Sequence, residues 1–139
     1  MGQERDDSCL LEKHLITPTK KKLTPNQLST GLFAWKVVKH TKSNAIVVAK
    51  NNKIISISGG QTSRVDATKI AFEKTKIPKG CIVASDAFFP FKDSIEKMAQ
   101  YNIAAIIQPG GSIRDKEVVE SCNKNKIAMA FTGFRVFKH

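Results

Sequence analysis

The sequence predicts an α/β layered domain with a mainly parallel sheet, helices on both faces and one N-terminal hairpin. Three observations carry this reading. Short apolar runs recur at Cys81–Ala84, Ala104–Ile107 and Ile127–Phe131, the pattern of strands buried on both faces. Segments between them place apolar residues at helical spacing. Two β-rich runs nearer the start are separated by Asn51-Asn52, which signals a hairpin.

Residues 1–23 show little periodicity and form an irregular lead-in that ends in the run Lys20, Lys21 and Lys22. Thr24-Pro25 then reads as a helix N-cap followed by proline at the first helical position. Leu28, Leu32, Trp35 and Val38 follow on one face, which predicts a helix from about 25 to 39. Ala45–Ala49 and Ile54–Ser58 are the hairpin strands, and Gly59-Gly60 breaks the chain after them. Val65–Lys74 has a helical pattern that stops before Pro78. From there the chain alternates: the Cys81 strand, a helix over Ser94–Tyr101 presenting Ile95, Met98 and Ala99, and the Ala104 strand. Pro109-Gly110-Gly111 turns into a helix around 115–123 with Val118, Val119 and Cys122 on one face, and the Ile127 strand follows. With 139 residues there is room for one compact domain. No internal repeat or low-complexity stretch interrupts it.

The composition, 41% hydrophobic and 25% charged, is that of a globular protein and excludes a disordered tail. No stretch reaches the roughly 18 apolar residues of a membrane span, so no membrane partner is expected. The opening MGQERDDSCLLEKH carries acids where a signal peptide carries bases, and a cytoplasmic location is expected. Lysine and arginine outnumber the acids 23 to 12, for a net charge of +11. Such a field favours anionic partners, although a lysine-rich solvated surface reads the same way. Cys9, Cys81 and Cys122 are too scattered for a disulfide scaffold or a thiolate metal site, and Cys81 and Cys122 read as buried thiols.

Ligands of open α/β sheets bind beyond the carboxyl ends of the strands. Three loops qualify: residues 85–93, 108–112 and 132–137. The first holds Phe88, Phe89 and Phe91 between Asp86 and Asp93, either as an aromatic slot for a planar ring or as a plug for the sheet edge. Gly110-Gly111-Ser112 before a helix offers amides that could suit an anion. The aspartates show no paired spacing and His14, His40 and His139 lie far apart, so neither paired-carboxylate nor metal-triad chemistry is indicated. The charge is there for nucleic acid, but no recognised motif is, so no specific nucleic-acid partner is expected.

The runs WKVVKHTKSNAIVVAK (35–50), SGGQTSRVDATKIA (58–71), SDAFFPFKDSIE (85–96), QPGGSIRDKEVV (108–119) and FTGFRVFKH (131–139) resemble the end of a bifunctional purine-biosynthetic enzyme. That family combines aminoimidazole carboxamide ribonucleotide transformylase with inosine monophosphate cyclohydrolase. The resemblance is strong from about residue 32 and looser before it. It implies that residues 1–139 are the second, C-terminal subdomain of a transformylase domain built from two cytidine-deaminase-like units. Deaminases of this fold hold zinc in an H-x-E…P-C-x-x-C pattern; the chain has neither half, so no zinc is expected. It further implies formyl transfer from formyl-tetrahydrofolate to aminoimidazole carboxamide ribonucleotide, in a homodimer. The family's Lys-His pair, in a motif ending Asn-Pro-Cys-Gly, does not occur, and Lys39-His40 matches a structural helix end instead. The cyclohydrolase half is missing too. The chain is thus expected to work with an N-terminal remainder, as a fragment, an engineered domain or a split subunit, and to be inactive alone.

Residue by residue, the resemblance implies that Asn44 orients the reacting groups. Arg64, Val65, Pro90, Phe91, Asp93 and Ser112 match folate contacts, with Asp93 anchoring the pterin. Phe88 and Phe137 match nucleotide contacts, and Arg135 matches the arginine on the nucleotide phosphate. Thr41, Ser43 and Asp86, with main-chain oxygens near Val38 and Val136, match a monovalent-cation site whose oxygen-only ligands suit potassium. A non-catalytic nucleotide- and folate-binding module is the alternative function, and a nucleic-acid binder resting on charge alone is a third.

Overall fold

In the computed structural model, residues 15–87, 89 and 92–133 are described. Helix α1, Pro25–Lys39, starts where the sequence predicts. The Thr24 hydroxyl accepts from the Gln27 amide at 3.1 Å, and Gln27 Oε1 accepts from the Thr24 amide at 3.0 Å, a reciprocal capping box. Strands β1 (Ile46–Lys50) and β2 (Lys53–Ser58) form the hairpin. Asn51 and Asn52 both take positive φ (51° and 59°), as a two-residue turn matched to strand twist requires. Helix α2 (Arg64–Glu73), strand β3 (Ile82–Ser85), helix α3 (Lys92–Ala99), strand β4 (Ala105–Gln108), helix α4 (Asp115–Lys124) and strand β5 (Ala128–Phe131) complete the order.

The five strands form one sheet in the order β2-β1-β3-β4-β5. Strand β1 runs antiparallel to both β2 and β3, whereas β3, β4 and β5 are parallel. The expected mainly parallel sheet is therefore corrected to a mixed one. Four strands share a direction, but β1 lies reversed among them, so only two of the four pairings are parallel. Apolar runs report burial and not strand direction, which is why the sequence missed this.

Helices cover both faces. Ile46, Val48, Val83, Ile106 and Met129 point toward α2, α3 and α4, where they meet Ala71, Phe72, Ile95, Met98, Val118 and Cys122. Alternate residues Val47, Ala49, Ala84, Ile107 and Ala130 face α1. That face is rich in alanine, and Gly31 sits so close that a Cβ there would lie 3.6 Å from Ile82 Cγ2. The close seat rotates α1 relative to expectation. Gly31, Ala34, Trp35 and Val38 are its buried stripe, while Leu28 and Leu32 are half-buried and line an outward groove with Leu23 and Phe33.

The described part of the lead-in runs along the outer edge of β5. Ile16 pairs with Phe131 through two backbone bonds of 3.0 and 2.7 Å, and the buried Thr19 hydroxyl accepts from the Met129 amide at 3.0 Å. The strap satisfies backbone groups that an open edge strand would expose. Both described cysteines are buried, and burial pushes the Cys122 thiol up to about 12. Burial also raises the Cys81 thiol, against a smaller opposing pull from Lys50. Neither thiol is ionised near neutral pH, so neither is a nucleophile. Among the described residues, no helix is long and apolar enough to cross a membrane.

Candidate functional site

The reversal of β1 organises the site. Ile46, at the start of β1, pairs with Ser85 at the end of β3 and with Ser58 at the end of β2. The segments around 41–45, 59–64, 85–93, 108–115 and 132–133 therefore all leave the sheet at one edge. A parallel β1 would have sent Asn44 to the opposite edge, away from Asp86 and Ser112.

Asn44 is half-buried and held by a two-way link to Gln61. Its backbone amide and Nδ2 both donate to Gln61 O, at 3.1 and 3.0 Å, and the Gln61 amide donates back to Asn44 O at 3.4 Å. The Ser43–Asn44 peptide is cis. Gly59 lets the two segments close, since a Cβ there would meet Thr41 Cγ2 at 2.5 Å. Gln61 was not singled out by sequence; its place directly after the Gly59-Gly60 break was the available signal. Asp86 caps the start of β1: its Oδ1 accepts from the Ala45 amide at 3.2 Å. Thr41, two residues past the end of α1, donates its hydroxyl to Val37 O at 2.8 Å. Thr41, Ser43 and Asp86 lie on segments that leave the sheet at this edge, and oxygen donors of this kind suit a hard cation in chemistry. Among the described residues, no three His, Cys, Asp or Glu side chains gather to hold a metal ion.

Arg64 opens α2, its side chain lying outside the described part, and Val65 beside it is 50% exposed. Asp93 lies in the first turn of α3. Val65 and Asp93, far apart in sequence, line the same groove between α2 and α3, with a volume of about 640 Å³. Phe72 and Tyr101 also line it, their ring centroids 4.7 Å apart. Lys39 and His40 end α1 at this sheet edge, His40 as the cap residue.

The 108–115 turn corrects one expectation. The Gly111 and Ser112 amides do not await an outside anion, because they donate to the Asp115 carboxylate at 2.8 and 3.2 Å. The acid of the following helix fills its own N-terminal turn. Ser112 Oγ accepts from the Arg114 amide at 3.1 Å. Gly110 is buried with φ 78°, and a Cβ on it would come within 2.9 Å of the Phe131 ring. Gly110→Ala should cost roughly 1–3 kcal/mol from crowding and backbone strain. Thermal unfolding should show this as a melting temperature lower by about 5–10 °C; an unchanged melting temperature would mean that the ring moves aside freely.

Phe89 is fully buried in the core, so this member of the 85–93 segment is a plug and not part of a slot. Phe88, Pro90, Phe91, Arg135, Val136 and Phe137 lie outside the described residues.

Residues 1–74, just over half of the chain, match the family described as the AICARFT/IMPCHase bienzyme. The chain belongs to this family. Curated relatives agree. The bifunctional purine biosynthesis protein PurH of Aquifex aeolicus is 53% identical over 139 residues, covering 97% of this chain and 28% of that protein. The PurH of Acetivibrio thermocellus is 57% identical over 138 residues, covering 99% and 27%. The chain thus spans little more than a quarter of the length of these PurH proteins. Among solved structures, Acinetobacter baumannii RibD, form 2, superposes with a TM-score of 0.50 over 92% of this chain and 35% of that one, at 11% identity. A likeness at that identity concerns the fold alone.

Proposed function

We propose that this chain is the second subdomain of a phosphoribosylaminoimidazolecarboxamide formyltransferase, with a cytidine-deaminase-like fold. In the assembled enzyme, a formyl group passes from formyl-tetrahydrofolate to the amine of aminoimidazole carboxamide ribonucleotide. The chain supplies binding residues, and the Lys-His pair comes from the remainder of the enzyme, within a cytoplasmic homodimer. The observation that carries this reading is that Asn44, Val65, Asp86, Asp93 and Ser112 lie on segments at one sheet edge, to which the reversed β1 brings Asn44. Asn44 orients the reacting groups from its anchored position on Gln61. Arg64, Val65, Pro90, Phe91, Asp93 and Ser112 serve the folate; the groove shared by Val65 and Asp93 supports this for those two. Phe88 and Phe137 flank the nucleotide, and Arg135 takes its phosphate. Thr41, Ser43 and Asp86 would hold a structural potassium ion, whose charge would fix the corner where β1 begins.

Arg135 gives the test. A guanidinium offers a planar fork of donors to phosphate that a lysine ammonium cannot reproduce. Calorimetry on the protein combined with its N-terminal remainder should find nucleotide affinity about ten- to a hundredfold weaker in Arg135→Lys, as expected for a lost charge-assisted hydrogen bond. Affinity for a folate analogue should be nearly unchanged. Equal loss of both ligands would make Arg135 a structural residue and remove the phosphate assignment.

A further inference from the structure

Gln108 ends β4, which lies between β3 and β5, and it is wholly buried. The rest of β4 is Ala105, Ile106 and Ile107, all buried. Packing alone would favour another apolar side chain here, because burying an amide is unfavourable unless its groups are bonded. Its groups are matched unequally. Oε1 accepts from the Phe89 amide at 3.1 Å, a sound hydrogen bond. Nε2 donates only to Met129 Sδ at 3.2 Å, and a thioether is a weak acceptor. The main-chain oxygen of Gln108 accepts from the Thr132 amide at 2.9 Å. One residue therefore begins the segment after β4 while gripping the segment after β3, β5 itself, and the segment after β5. Beside it, the Thr132 hydroxyl is buried with no hydrogen-bond partner among the described residues.

We propose that Gln108 is a positioning residue: its side-chain oxygen fixes the Phe89 backbone in register with the segments after β4 and β5. The proposal rests on the reading of this edge as a nucleotide and folate site. Gln108 touches no ligand; it acts through the Phe89 backbone. A merely space-filling role predicts that methionine, of similar length and volume, would serve as well. A positioning role predicts that the acceptor oxygen is what matters.

Three variants separate these outcomes. Gln108→Met keeps the volume and removes the acceptor, Gln108→Glu keeps an acceptor oxygen at the same reach, and Met129→Leu removes only the sulfur contact. Amide exchange, read residue by residue in this chain, should be at least about tenfold faster at Phe89 in Gln108→Met, with Ile106 and Met129 protected as before. Affinity for aminoimidazole carboxamide ribonucleotide and for a folate analogue, measured with the N-terminal remainder present, should fall about tenfold. Gln108→Glu should restore both readouts to within about threefold, and Met129→Leu should leave both unchanged. Native exchange at Phe89 in Gln108→Met overturns the proposal, as does loosened Phe89 with native ligand affinity. Should Gln108→Met fail to fold, Gln108→Glu decides: native Phe89 protection supports the proposal, and its loss in a folded protein overturns it. Should the unsubstituted protein bind neither ligand, the functional reading falls, and the Phe89 exchange still decides whether Gln108 positions that segment.

Discussion

Formyl transfer by the purified chain alone should run at least about a hundred- to ten-thousand-fold below that of a full-length relative, the usual cost of losing general acid–base help. The amine of aminoimidazole carboxamide ribonucleotide is a weak nucleophile that must shed a proton as it attacks. The described part of the edge offers Asn44, whose amide is neither a useful acid nor a useful base at neutral pH, and carboxylates at Asp86 and Asp93. The exposed Lys39 and His40 end α1, with the His40 amide donating to Val37 O at 3.1 Å, and matching of motifs gives them a structural position. A coupled assay of the chain with formyl-tetrahydrofolate and the ribonucleotide checks this, and adding the N-terminal remainder should raise turnover. A rate near that of a full-length PurH would mean that Lys39-His40, or another pair in this chain, does the proton transfer, and the division of labour proposed above would be wrong.

Phe89→Ala should lower stability by about 3–5 kcal/mol. Phe89 heads the largest fully buried side chains, and it joins Ile95, Met98, Ile106 and Val118 in the core beneath the edge. Truncating it removes the transfer free energy of a phenyl ring and leaves a cavity walled by helices and sheet that cannot easily collapse. Against a total of about 5–15 kcal/mol for an ordinary domain, such a loss is severe. Denaturant titration should show the midpoint falling with the slope unchanged. A loss under about 1 kcal/mol would reopen the alternative that Phe89 belongs to an aromatic slot for ligand.

Much of the fold was legible because local chemistry determines it. Thr24-Pro25 with Gln27 fixes where α1 starts, and Asn51-Asn52 fixes the hairpin turn, whatever the rest of the chain does. The strand runs around 82, 105 and 128 were legible from burial. Direction was not: nothing in the residues 46–50 says which way β1 will point, because the side-chain period of a strand is the same in both senses. That one unreadable bit decides whether Asn44 reaches the site. The 108–115 turn failed for a related reason. Glycines before a helix look like an anion site until the partner is known, and here the partner is Asp115, four residues past Gly111 and already inside α4. Gln108 was visible as a polar residue closing an apolar run, yet only the fold shows that three segments meet on it.

The strap along β5 bears on how this domain can be carried by a longer polypeptide. Ile16 and Phe131 are ladder partners, so the chain enters and leaves the described domain at adjoining points, beside the loop that follows β5. A unit whose two ends meet can be spliced into a larger chain, or joined end to end and reopened elsewhere, with little disturbance to its interior. Those ends also meet at the carboxyl edge. Sequence carried before residue 15 therefore sets out from the carboxyl edge of the sheet, where the proposed site lies.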